Sequence, residues 1–184
     1  QGVEDTYIKR GIVPFGEWVP YRDLLLPLIP ELKYAGAQSV AGTAPGVLHV
    51  TDRQGRPLTV GVIICLDLAF DNIVADAVTH GGQVIVVQSS NAMFQGSGQI
   101  DQQFAMTRVR AMEARREILV TTTSGVSGLI NPDGGVVFQT TDHSSASGVV
   151  TLPLRDSITP ALRFGAWFEG ALVLVGIGGL IFAL

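Results

Sequence analysis

The chain has 184 residues, 47% of them apolar and 15% charged, with 12 Lys+Arg against 16 Asp+Glu for a formal charge of −4. That length allows one domain with a sizeable core, and the low charged fraction excludes a disordered chain. No basic tract is present, which argues against nucleic acid as a partner, because such binding needs clustered Lys and Arg to neutralise phosphates.

The chain begins at Gln1 without the charged, apolar and cleavage-site pattern of a signal peptide, and that start reads as a cut. Four prolines, Pro14, Pro20, Pro27 and Pro30, forbid a long regular element in the next stretch and leave room for a short helix at Leu24 to Leu28. Strands are predicted at Gly46 to Thr51 and Leu58 to Cys65, joined by the turn-rich Asp52 to Pro57. The run VGVIIC at the end of the second is continuously apolar, the mark of a strand covered on both faces. Phe70 to Thr79 spaces Ile73, Val74, Ala77 and Val78 for one face of a helix that His80, Gly81 and Gly82 end.

Val84 to Val87 is the next buried strand. Gln99 to Glu117 reads as a long helix with Phe104, Ala105, Val109 and Met112 on its apolar side. Strands then follow at Ile118 to Thr123, Gly128 to Ile130, Val136 to Gln139 and Gly148 to Leu152, with a tight turn at Asn131 to Gly134. This order predicts an α/β layered domain, a mixed sheet with helices on one face and room for a second sheet behind. The apolar run from Gly170 to Leu184 carries no polar side chain. Its length falls between the roughly 20 residues of a full span and the 10–14 of a buried core helix. Trp167 and Phe168 suit an interfacial anchor, and the run is expected to begin a transmembrane segment rather than a core helix. The chain therefore divides into a globular part over residues 1–163 and a membrane segment starting at residue 164.

Cys65 is the one cysteine, so it closes no intrachain disulfide. It stands at the end of a strand and before a helix, where a nucleophile is exposed and backbone N–H groups can receive an oxyanion. A buried structural cysteine is the commoner meaning of such a residue. Lys9 and Glu17 form a second constellation: the ammonium can stabilise developing negative charge and the carboxylate can orient it, although a solvated surface pair fits the same spacing. Arg108, Arg110, Arg115 and Arg116 accompany Glu113 and Glu117, and a salt-bridged face outweighs an anionic-lipid patch. His49, His80 and His143 are scattered, without metal-ligand spacing.

The segments KRGIVPFGEWVP, VGVIICLDLAF and RVRAMEARREILVTTTSGVSGLINPDG, in that order, resemble the nitrilase or carbon-nitrogen hydrolase superfamily. The VPFGEWVP phrase, TPALRFGAW and the apolar run after it are similar to its apolipoprotein N-acyltransferase branch. The resemblance covers Tyr7 to the start of the tail. It implies an α-β-β-α sandwich, here incomplete at its N-terminus, and a Glu-Lys-Cys triad in which Lys9 and Cys65 match the lysine and the nucleophile. Glu17 matches the second glutamate of the PFGE motif, and the first triad glutamate precedes the lysine and lies outside this chain.

Leu66 and Asp67 stand where the branch commonly has tyrosine and glutamate. Its SNDAWF loop is Ser89 to Phe94 here, which implies substrate contacts at Leu66, Asp67, Asn91 and Met93. The activity implied is transfer of a fatty acyl chain from a phospholipid, through a Cys65 thioester, to the α-amino group of a diacylglyceryl-modified lipoprotein N-terminal cysteine. Lys9 and the backbone N–H of Leu66 would hold the oxyanion. No cofactor and no metal is implied; the implied setting is a multi-pass protein of the cytoplasmic membrane with its catalytic domain on the outer side. Two alternatives stay open: a soluble amidase acting on a small amide, and a nitrilase-like module without catalysis.

Overall fold

The computed structural model describes residues 5–35, 38–141 and 144–183. After a short helix α1 (Arg22–Leu25), the chain enters a sheet of six strands. These are β1 (Val47–Thr51), β2 (Pro57–Ile64), β3 (Val84–Ser89), β4 (Ile118–Thr122), β5 (Gly128–Ile130) and β6 (Val136–Gln139). The strands lie side by side in chain order. β2, β3 and β4 are parallel, whereas β1 on one flank and β5 and β6 on the other are antiparallel. Parallel neighbours need long crossovers. Helix α2 (Asp71–Thr79) joins β2 to β3, and α3 (Gln99–Ala114) joins β3 to β4.

Both crossover helices cover the same face. Ile63, Ile85, Val87, Ile118, Val120 and Ile130 meet Ile73, Val74, Ala77 and Val78 of α2 and Ala111 and Ala114 of α3 in one buried cluster. The four apolar positions expected on α2 are all buried. The face expected on α3 is corrected: Val109 and Met112 are exposed, and the buried positions are Ile100, Thr107, Arg110, Ala111 and Ala114. The sheet can accept Arg110 inward because its guanidinium finds carbonyl and carboxylate partners there, which removes the cost of burying it. The helix stops three residues earlier than expected, at Ala114, where Arg115 takes a left-handed φ of 50°.

Gly148 to Leu152, expected as a strand, is irregular. Residues 144–150 instead run across the second face of the sheet, enclosing a cavity of about 880 Å³ against Leu119, Thr121 and Phe138. Among the described residues there is one sheet, so the second layer of the sandwich is not part of them.

The chain leaves the domain through α4 (Pro160–Ala183), which starts four residues before the expected boundary. Thr159 begins it: its hydroxyl accepts from the N–H of Leu162 and donates to the carbonyl of Glu113 on α3, and Pro160 takes the first helical position. Ile158 and Leu162 pack on the core cluster. Beyond that foot, α4 is an exposed apolar helix of 24 residues with a mean hydropathy of 1.9 over its apolar window, long and apolar enough to cross a membrane.

Candidate active site

The site lies at the C-terminal ends of the parallel strands, the usual place for ligands in such sheets. β2 ends at Ile64, and Cys65 opens a short 3₁₀ turn over Cys65–Ala69. Cys65 has a φ of 51°, a left-handed conformation that a non-glycine residue adopts only when its surroundings enforce it. Two anchors do so. Arg110 of α3 donates to the carbonyls of Leu68 (2.9 Å) and Ala69 (3.3 Å) and is itself paired with Glu113 (2.6 Å) and Asp71.

The second anchor is Asp67. Its carboxylate is fully buried and accepts from the Tyr7 hydroxyl (2.8 Å), from the backbone N–H groups of Arg10 (3.2 Å) and Ile64 (3.2 Å), and from that of Gly11. Burial, and then the hydrogen bond to Asp67, push the Tyr7 phenol well above its usual range, so it stays a donor. One carboxylate thus ties the segment after Lys9 to the residue before Cys65. This corrects the expected substrate contact at Asp67, because both oxygens are used inside the protein.

Lys9 sits 12% exposed, with its ammonium on both oxygens of Glu17 at 2.8 and 2.6 Å. The proline-rich loop folds to allow this. Phe15 takes a φ of 61°, the Glu17 N–H donates to the Val13 carbonyl, and the Val13 N–H returns to the Glu17 carboxylate at 2.8 Å. Burial raises the Glu17 carboxyl, but the ammonium and the Val13 N–H outweigh it and hold it below the usual carboxylate range. The pair is therefore built into the loop, with Lys9 largely covered and Glu17 still open to solvent on one side.

Cys65 is half-buried and opens on a cavity of about 330 Å³. Its lining is apolar at Val13, Leu66, Leu68, Phe94 and Met106 and polar at Asn91. Gln99, Gln102 and Gln103 line it as well, on one stripe of α3 at helical spacing that continues to Met106. Val13 links this cavity to the Lys9–Glu17 pair. A cleft of about 500 Å³ lies nearby, against Arg10, Trp18, Phe70 and Asn72, and does not include the sulfur.

Leu66 lines the Cys65 cavity. Met93 is 83% exposed, and the cavity takes Phe94 from the same loop instead. Asn91 is 3% exposed, with its carboxamide engaged by Ser89 and Gln103. Asn91 nevertheless lines the Cys65 cavity, whereas Met93 does not. The reading of the sequence missed Gln103, whose Nε2–H donates to Cys65 Sγ at 3.8 Å. The signal was a glutamine stripe on a helix face next to core positions.

Of the expected arginine face, Arg110 with Glu113 is an ion pair, but Arg108 and Arg116 bond backbone carbonyls. His80 caps α2 through the carbonyl of Asp76, His49 meets Thr59, and His143 lies outside the described residues.

A strand-end cysteine in a left-handed turn, opening on a cavity that shares Val13 with a partly buried lysine–glutamate pair, is a thiol placed where a nucleophile could act. Residues 3–158 match the profile of the carbon-nitrogen hydrolase family, and the chain belongs to that family. Its curated relatives are narrower in kind. It is 32% identical over 183 residues to the apolipoprotein N-acyltransferase of Mycolicibacterium smegmatis, a match that covers 100% of this chain and 30% of that protein. It is 29% identical over 179 residues to the apolipoprotein N-acyltransferase of Pseudomonas paraeruginosa, covering 96% of this chain and 32% of that one. The chain thus spans about a third of the length of these relatives. Among solved structures it is similar to an amidase from Nesterenkonia sp., with a TM-score of 0.48 and 20% identity over 75% of this chain and 52% of the amidase.

Proposed function

We propose that this chain carries the nucleophile and the lysine of an apolipoprotein N-acyltransferase. The Cys65 thiolate attacks the ester carbonyl of a phospholipid, forming a thioester and releasing a lysophospholipid. The α-amino group of a diacylglyceryl-modified lipoprotein cysteine then attacks the thioester and leaves as an amide. A glutamate outside this chain takes and returns the proton. Lys9, oriented by Glu17, and the backbone N–H of Leu66 stabilise the oxyanion. Leu66, Phe94 and Met106 shelter the acyl group from water, while Asp67 and Asn91 position the groups that touch it.

The observation that carries this reading over a soluble amidase is α4, an exposed apolar helix rooted on α3, which lines the cavity. A bilayer holding it keeps the nucleophile near its acyl donor, which raises the effective substrate concentration. The same reading puts the protein in the cytoplasmic membrane with this domain on the outer side.

Intact-mass analysis of the full-length protein after incubation with phospholipid tests it. One acyl adduct on Cys65 is expected, and none in Cys65→Ala. An adduct on another residue overturns the assignment. Lys9→Ala should slow adduct formation by about 10²–10³, the size of one lost oxyanion donor.

A further inference from the structure

The sulfur of Cys65 has a directed partner that the triad does not supply. Gln103 reaches it from α3, across 38 residues of chain, with Nε2 at 3.8 Å from Sγ. The far end of that carboxamide is held: Gln103 Oε1 accepts from Asn91 Nδ2 at 2.9 Å, and Asn91 Oδ1 accepts from the Ser89 hydroxyl at 2.8 Å. Asn91 in turn is fixed by its N–H on the carbonyl of Ser124 at 3.2 Å and by the close backbone of Gly125. A Cβ at Gly125, whose φ is +105°, would lie 2.9 Å from Asn91 Nδ2. The hydroxyl, the first amide and the second amide form a chain with one polarity, and its last donor points at the sulfur.

We propose that Gln103 holds the Cys65 sulfur in its anionic states, and that Asn91 and Ser89 are positioning residues that set the direction of the Gln103 amide. The proposal rests on the reading that Cys65 becomes acylated. A carboxylate base takes the thiol proton; the sulfur lone pair then forms the C–S bond, the ester C–O bond breaks, and the base returns the proton to the leaving alkoxide. In the second half the amine forms the C–N bond, the C–S bond breaks with its electron pair returning to sulfur, and the amine proton passes to the base. Sulfur is negatively charged before the first attack and after the second departure, and neutral in the thioester between. An N–H donor binds a charged acceptor more strongly than a neutral one. Gln103 therefore favours the nucleophile of one half-reaction and the leaving group of the other.

Two variants of the full-length protein separate this from a packing role. Gln103→Glu keeps the shape and the acceptor for Asn91 but turns an oxygen toward sulfur. Asn91→Asp never touches the sulfur; it removes the donor to Gln103, whose amide then turns its NH₂ to the new carboxylate and its oxygen to Sγ. Iodoacetamide alkylation of Cys65 at pH 7 should slow about tenfold in each, the scale of one hydrogen bond to a charged acceptor. The double variant should be no slower than Gln103→Glu alone. Alkylation of Gln103→Glu at the wild-type rate, or effects that multiply in the double variant, overturns the proposal. If one variant does not fold, the rate in the other decides. Alkylation needs no lipid: slowed alkylation with no acyl adduct on the wild-type protein removes the acyltransferase reading and leaves Gln103 in place. Wild-type acylation that is unchanged in Gln103→Glu removes Gln103 alone.

Discussion

At the scale of single residues, Asp67 decides whether there is a site. Four donors converge on its carboxylate, from Tyr7, Arg10, Gly11 and Ile64. Asn offers one oxygen and a competing NH₂, so Asp67→Asn leaves buried N–H groups unpaired and is expected to cost about 2–4 kcal/mol, more than the roughly 1 kcal/mol of Tyr7→Phe. Urea denaturation midpoints measure both. Glu17 gives a pH dependence. Its carboxyl is depressed in the folded state, so its contribution to stability is full above the usual glutamate range, about 4.3, and is lost as pH falls through the lower folded value. Glu17→Gln should flatten that acid limb of the stability curve while also weakening the hold on Lys9; an acid limb identical to wild type would show that the pair contributes nothing.

At the scale of elements, α3 does more than cross between strands. Its C-terminal end is closed by Arg116, 1% exposed, whose Nε donates to the Gly82 carbonyl at 3.0 Å and whose Nη1 reaches the Ala114 carbonyl at 3.4 Å. Burial pulls its guanidinium below the usual arginine range. Arg116→Ala opens a cavity and strands a carbonyl, so a loss of about 3 kcal/mol is expected. Arg116→Met should recover part of it, because it refills the volume without a charge. Thermal unfolding of both variants checks the order.

The elements also explain what could be read from sequence. α2 was legible because its four inward positions are apolar. The inward face of α3 was not, because Thr107 and Arg110 sit there with their polar atoms satisfied, and polarity alone says nothing about partners that arrive from elsewhere in the chain. Gly148 to Leu152 has strand composition but pairs with no neighbour in the sheet, and composition does not supply one. Cys65 could be found from its place after a buried strand. Gln103 was marked only by the glutamine stripe on its helix, which is ordinary until folding brings a sulfur beside it.

At the scale of the whole molecule, the sheet is covered unequally. Opposite the helices, Leu48, Val60, Ile64, Val86 and Leu119 are only half-buried, and Val50 and Phe138 are exposed at 37% and 40%. The 184-residue chain expressed alone is therefore expected to bind a hydrophobic dye such as ANS and to self-associate on gel filtration; a monodisperse monomer that leaves the dye dark would contradict this. α4 makes a separate prediction. Leu174→Arg places a charge near its centre, worth roughly 2.5–3.5 kcal/mol against insertion, and should sharply reduce membrane integration of the α4 segment in a translocon assay.

The foot of α4 is bolted to α3 through Thr159 and Glu113, and α3 also presents Gln103 to the sulfur. α4 and the cleft thus share α3 as a common base. Under the acyltransferase reading proposed above, a bilayer that grips α4 at a given depth would also set how high the Cys65 sulfur rides above the lipid carbonyls, and membrane thickness would tune the reaction.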